Sequence, residues 1–412
     1  MKPFATAITL VFVACLPFTA CTTTVPPKVV TPAPADHPLR AAIPQIEEAF
    51  KAQPERTPLL YVLAMYYERL GEPENVVKTL ERLEAAGWTY GVGEYDFTTD
   101  TPAFRAMRKR LDAKEPRVSK ATRAFTVSNT KDLIPEGIAY DAASDSFFLT
   151  SLYGTKIVRV DRSGRMTDFI TTGQDGYRAG LGAAVDPQRR LLWAGSGTTP
   201  EMRGYTPEQA GLSSLHAYDL NTGKQVRKLT AGSADKPSLL NDVALLADGT
   251  LYVTDTQGNR VWRIAPNSDR LESFAEDLRF PNGIAISDDQ RYLYVADFRG
   301  INRFDLRDNN TRLTLPSKQP LAGIDGLKFH KNTLIGIQNA AGASRVIRVH
   351  LDDANRVELL ETKNPLFHLP TTGVIAGDEY YFIANSQLRA FTDGKLWPEE
   401  KLRDTVVMKI KL

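Results

Sequence analysis

Four polar residues hold the same place in a recurring frame. Glu136, Asn241, Asn282 and Asp325 are each followed by glycine (once by Asp242) and then by a short apolar run. Two carboxylates and two amide oxygens make a hard, all-oxygen donor set. Such a set suits Ca2+, with Mn2+ or Zn2+ as other divalent candidates, and four protein ligands leave room for water or substrate oxygens. No Cys or His occupies these slots, which argues against a dedicated zinc centre. One Asn or Asp at such a point is ordinarily a cap on the loop entering its strand. Four in register, both acids included, point to a site.

The slot is defined by repetition. Pro135-Glu136-Gly137-Ile138, Gly180-Leu181-Gly182-Ala183, Leu240-Asn241-Asp242-Val243, Pro281-Asn282-Gly283-Ile284, Ile324-Asp325-Gly326-Leu327 and Thr371-Thr372-Gly373-Val374 are six copies. The slot residues are therefore Glu136, Leu181, Asn241, Asn282, Asp325 and Thr372, spaced by 45, 60, 41, 43 and 47 residues. A turn and three further strands follow each frame, as Leu251 to Thr254, Trp262 to Ile264 and Leu271 to Phe274 illustrate. Four strands at this period predict a mainly β fold, a six-bladed β-propeller. The last copy runs out one strand short, and Arg123 to Val127 supplies a spare strand ahead of the first copy. Pairing the two closes the ring and removes an open edge. In a propeller the innermost strands line the axis, so all six slots converge on one mouth of the channel. The loops Ser151 to Thr155, Asp255 to Asn259, Asp297 to Gly300 and Gln338 to Ser344 should surround it.

On these motifs the propeller resembles the senescence marker protein/gluconolactonase/luciferin-regenerating family, with paraoxonase a more distant relative. The resemblance rests on Pro135-Glu136-Gly137, Asn241-Asp242-Val243, Asn282-Gly283 and Asp325-Gly326. It implies a catalytic divalent metal held by Glu136, Asn241, Asn282 and Asp325, and hydrolysis of a lactone or ester. It also implies Asp325 as the group that moves the proton; the position of Asp242 beside the site makes that carboxylate a second option. Leu239 stands where gluconolactonases tend to carry Arg, so the implied substrate class stops short of a sugar acid.

Other residues carry weaker signals. His368 lies four residues before the Thr372 slot, placed to orient substrate, shuttle a proton or simply pack. His216 and His330 read as structural. Ser196 to Leu212 is an insertion in the second blade, either a lid over the active face or a plain extension. No G-x-S-x-G nucleophile elbow is present around Ser196.

Outside the propeller (121–412) the chain has three segments. Residues 1–20 read as a lipoprotein signal peptide: Lys2, an apolar run, then Phe18-Thr19-Ala20-Cys21. Both cysteines, Cys15 and Cys21, fall in this region, so Cys21 reads as a lipid attachment point. Residues 21–37 form a Pro-rich spacer. Residues 38–115 show a helical period and resemble tetratricopeptide-type hairpins, joined at Gly71-Glu72-Pro73, with a terminal helix over Phe97 to Leu111. This module carries no catalytic constellation and reads as a helical cap or as a docking module for an envelope protein. A net charge of +2 without a basic block excludes nucleic acid as an implied partner. The expectation is a metal-dependent lactonase or esterase, lipid-anchored in the cell envelope (on the periplasmic side of the outer membrane if the cell is Gram-negative) and touching the membrane only through its anchor. The competing expectation is a non-catalytic propeller that binds a ligand or envelope partner, with the metal structural.

Overall fold

The computed structural model describes residues 32–93, 96–308, 311–317, 319–352, 356–392 and 394–412. The signal segment, Cys21 and the spacer through Thr31 lie outside the described residues. Contacts divide the chain into two compact units, one ending at Pro116 and joined by Phe391–Lys395, the other formed by Arg117–Ala390 and Leu396–Leu412.

The first unit is helical: α1 (Pro38–Ala52), α2 (Pro58–Arg69), α3 (Pro73–Ala85) and α4 (Pro102–Lys114). Each begins with proline, whose missing N–H costs nothing in a first turn. Leu60, Leu63, Leu80, Leu83, Met107 and Leu111 are buried, and Tyr61 stacks on Trp88 at 5.5 Å. Phe97, expected inside the terminal helix, precedes it. The Thr101 hydroxyl accepts from the Phe104 amide and starts α4 later. None of the described helices is long and apolar enough to cross a membrane.

The second unit is a six-bladed β-propeller. Five blades are consecutive four-stranded sheets whose inner strands are Pro135–Asp141, Ala179–Asp186, Leu240–Leu245, Ile284–Ile286 and Ile324–His330. The sixth joins Gly373–Ala376, Glu379–Ile383 and Thr405–Lys411 to the early strand Thr122–Val127, with Thr122 opposite Lys409 and Val127 opposite Thr405. The first and last strands of the propeller thus close the ring on each other. Glu361, buried in blade five, pins the entry to that strand: its Oε2 accepts from the amides of Lys120 (2.8 Å) and Ala121 (2.7 Å). Apolar layers fill the spaces between blades, such as Ile138, Phe147, Leu149, Tyr381 and Val407 between the first and sixth.

Adjacent inner strands approach so closely that Gly137 and Gly182, each the residue after its slot, have no room for a side chain. A methyl on Gly137 would stand 2.3 Å from the Leu181 carbonyl oxygen, and one on Gly182 would meet Asp242 Oδ1 at 2.7 Å. Gly137→Ala should therefore push two backbones apart and destabilise the propeller by about 1–3 kcal/mol. Calorimetry that finds the variant as stable as wild type would contradict this account of the frame glycine.

Candidate functional site

Irregular backbone presents the slot residues. In four blades the inner strand loses register with its neighbour at the slot, between Pro135 and Ile138, Gly180 and Ala183, Leu240 and Val243, and Ile324 and Leu327. Each irregularity contains the slot residue and the one after it. A bulge of this kind turns side chains away from the alternation of a regular strand. In the fourth blade Asn282 lies just ahead of the short strand, held by its amide to the Ala296 carbonyl at 2.9 Å.

From there a chain of hydrogen bonds runs around the mouth. The Thr150 hydroxyl of blade one donates to the Leu181 carbonyl (2.6 Å). Asn241 Nδ2 donates to Thr256 Oγ1 (3.1 Å), and that hydroxyl donates to the Pro281 carbonyl, next to Asn282 (2.7 Å). Asn282 Nδ2 donates to Asp325 Oδ1 (2.7 Å). Asn339 Nδ2 donates to Asp325 Oδ2 (2.6 Å) and to the Pro370 carbonyl (2.8 Å). Finally the hydroxyls of Thr371 and Thr372 donate to the Glu136 carbonyl at 2.9 and 2.8 Å. Thr256 and Asn339 come from two of the loops expected around the mouth. Neither drew attention in the sequence, because nothing marks a loop Thr or Asn as a neighbour of a residue far away in the chain.

These bonds use up the amide nitrogens and leave oxygens over. Glu136 Oε2, Asn241 Oδ1 and Asn282 Oδ1 are buried, and none has a hydrogen-bond partner. Stranding a buried acceptor costs about 1–3 kcal/mol, and three stranded at one mouth need a common explanation. Electrostatics add to the case. Burial holds the Glu136 carboxyl well above its usual range, and the charges of Asp325 and Asp242 push the same way while Lys328 opposes them. Burial also pushes Asp325 up to about 6, against the hydrogen bonds from Asn339 and Asn282. Crowded acids and stranded neutral oxygens are what a bound dication would relieve together, so the donor set fits such an ion. Among the described residues no group of three or more His, Cys, Asp or Glu is arranged to hold a metal; the set here draws half its donors from Asn.

The remaining candidates separate. Asp242 is buried, but its oxygens are already engaged: Oδ1 accepts from the Val243 amide (2.9 Å), and Oδ2 lies 3.4 Å from both the Ile284 amide and Lys328 Nζ. His368 is buried, edge-on to Trp397 at 6.4 Å, and burial brings it down to about 4, so it is neutral near pH 7. His216 lies buried between Ser214, Tyr218 and Gln225, and His330 ends the inner strand of blade five away from the slot. The insertion sends Met202 and Tyr205 into an apolar cluster with Leu152, Ala179, Leu181, Leu239 and Leu388. The Leu181 side of the ring is therefore carbon.

The raised carboxyl of Asp325 has a consequence for stability. A folded-state pKa of about 6 lies above the ordinary aspartate value, so the folded protein holds a proton that the unfolded chain releases. This contribution is full at low pH and is lost as pH rises towards about 6. Metal-free wild type should lose more melting temperature than Asp325→Asn between pH 4 and pH 7 (about the window set by the two pKa values). Parallel pH profiles for the two proteins in chelator would refute this.

Residues 181–354 match the family model described as SMP-30/Gluconolactonase/LRE-like region. That span holds Asn241, Asn282 and Asp325, while Glu136 precedes it. No curated protein matches the chain. Among solved structures, a gluconolactonase from Xanthomonas campestris superimposes with a TM-score of 0.50 at 17% identity, over 72% of this chain and 100% of its own. A luciferin-regenerating enzyme gives 0.49 at 12% identity, over 70% and 92%. A virginiamycin B lyase from Staphylococcus aureus gives 0.45 at 15%, over 64% and 81%. At 17% identity the likeness to the gluconolactonase speaks for the propeller fold alone. Through residues 181–354, this propeller is similar to the SMP-30/gluconolactonase/LRE-like proteins.

Proposed function

We propose that the chain is a divalent-metal-dependent hydrolase of lactones or esters. The observation that carries the reading is the set of stranded buried oxygens on the slot residues Glu136, Asn241 and Asn282, the last of them bonded to Asp325. The family match over residues 181–354 supports the lactonase type. Glu136, Asn241, Asn282 and Asp325 would hold the ion, with Ca2+ suited to the oxygen donors and Mn2+ or Zn2+ as alternatives. Such an ion supplies polarisation of a substrate carbonyl.

The chain's own groups do the rest. Asn282 and Asn339 fix both oxygens of Asp325, which presents a carboxyl in the range where proton transfer near neutrality is efficient. Asp242 is the poorer base, since backbone amides and Lys328 hold its oxygens. His368, neutral at working pH, could accept a proton from a substrate or water that reaches it. The carbon-lined Leu181 side, with Leu239 and Met202, favours an apolar substituent over a polyol.

Purified protein should hydrolyse members of a lactone and aryl-ester panel, lose the activity in chelator and regain it with a divalent metal. Asp325→Ala should abolish tight metal uptake, read by elemental analysis. His368→Ala should change kcat or KM without releasing metal if the imidazole meets substrate. A metal-loaded protein that hydrolyses nothing across the panel would leave the ligand-binding propeller as the better reading.

We also propose that Cys21 carries lipid and holds the protein in the cell envelope, with the helical unit free to engage an envelope protein. The support is the apolar leader ending at Phe18-Thr19-Ala20-Cys21 and the cysteine-free body. Cys21→Ser should move the protein from the membrane to the soluble fraction, and wild type found wholly soluble on fractionation would dismiss the anchor.

A further inference from the structure

The six-fold repeat is broken by charge at two of its inward steps, and the two exceptions meet. After the slot stands Gly137, Gly182, Gly283, Gly326 and Gly373 in five copies and Asp242 in the sixth. Three places beyond the slot stand Ala139, Ala184, Ala244, Ala285 and Ile375 in five copies and Lys328 in the other. Asp242 belongs to blade three and Lys328 to blade five, with blade four between them in the ring. Lys328 Nζ nevertheless lies 3.4 Å from Asp242 Oδ2. The carboxylate is 2% exposed and the lysine side chain 20%, so the pair sits inside the propeller, inward of the slots.

A second feature marks the same region as polar. The Tyr380 ring lies where a methyl on Gly373 would be, 2.3 Å from it, and the Tyr380 hydroxyl is buried without a hydrogen-bond partner. It feels the charges of both Asp242 and Asp325, which add to the effect of burial in holding the phenol protonated. An interior with this composition has the means to host cations. Glu136, Asp242 and Asp325, ionised, bring three negative charges into it, and Lys328 brings one positive charge tied to the chain.

We propose that Lys328 is a built-in monocation that covers Asp242, leaves two negative charges at the mouth and thereby restricts the site to a single divalent ion. The contrast between acids supports this. Both Asp242 oxygens have partners within the protein, whereas Glu136 Oε2 and the amide oxygens of Asn241 and Asn282 are stranded. An ammonium in this place also cannot be stripped by a chelator, so the inner half of the channel keeps its charge balance when the mouth is empty. A buried carboxylate deprived of its partner is costly and recruits another cation.

This inference rests on the metal reading above but is independent of hydrolysis, so its readout is cation binding. Purified wild type, Lys328→Met and Lys328→Arg are titrated with Ca2+ and Tb3+ by calorimetry and terbium luminescence. Wild type and Lys328→Arg should bind one Ca2+. Lys328→Met should either take up a second Ca2+ or shift its preference towards Tb3+ by at least about tenfold, the effect of one uncovered charge at close range. The double variant Asp242→Asn/Lys328→Met should return to wild-type stoichiometry and preference. A folded Lys328→Met with unchanged stoichiometry and Ca2+/Tb3+ ratio would overturn the proposal while leaving the metal reading intact. Absence of any bound cation in wild type and variants would overturn both. Should Lys328→Met not fold, Asp242→Asn decides: leaving the ammonium uncovered must weaken Ca2+ binding by at least about tenfold, and unchanged affinity would count against the proposal.

Discussion

The close approach of six inner strands around one axis is the constraint on which this structure depends. Where Gly137 meets the Leu181 carbonyl, and Gly182 meets Asn241 and Asp242, the backbones leave no space for a side chain. Packing at such density forces the preceding residue to the rim, where the strand loses register with its neighbour. The glycine and the slot residue are thus one device: the first lets blades close, and the second projects where they close. Changing what stands in the slot changes chemistry at little cost to the ring, which is why Leu181 and Thr372 fit the same frame as Glu136 and Asp325.

Concentrating acids in that place carries an electrostatic cost, and it is distributed unevenly. Asp325 is bonded by Asn282 and Asn339, and Asp242 by Lys328 and two amides. Glu136 has its carbonyl held by Thr371 and Thr372, while one carboxyl oxygen has no partner. The asymmetry sets hydrogen-bonded acids beside buried acceptors that have no partner. It also gives the mouth two sides, since the Leu181 flank is sealed by Met202 from the second-blade insertion.

The ring and its slots were legible in the sequence because both are periodic. A frame such as Pro-Asn-Gly before an apolar run keeps its meaning in every copy, so six copies fixed the blade count and named the candidate ligands. The contacts that complete the site are not periodic. Thr256 and Asn339 are ordinary loop residues until the fold sets them beside Asn241 and Asp325. Lys328 reads as a polar residue in a half-exposed strand, and only its meeting with Asp242 gives it a role. The start of α4 at Pro102, later than the apolar pattern around Phe97 suggests, has a local cause in the Thr101 cap.

Closure of the sixth blade by Thr122–Val127 sets the order in which the molecule can be finished. During synthesis the first strand of the propeller emerges early and its partner, Thr405–Lys411, emerges after the other propeller strands. Thr371 and Thr372, which hold Glu136, are also late. Contacts between such distant parts of a chain form slowly, after most local pairing is done. A partly made chain therefore exposes an unpaired strand at each end and lacks one wall of the mouth. The sixth blade, whose Thr371 and Thr372 hold Glu136, therefore closes only once strands from both ends of the propeller have been made.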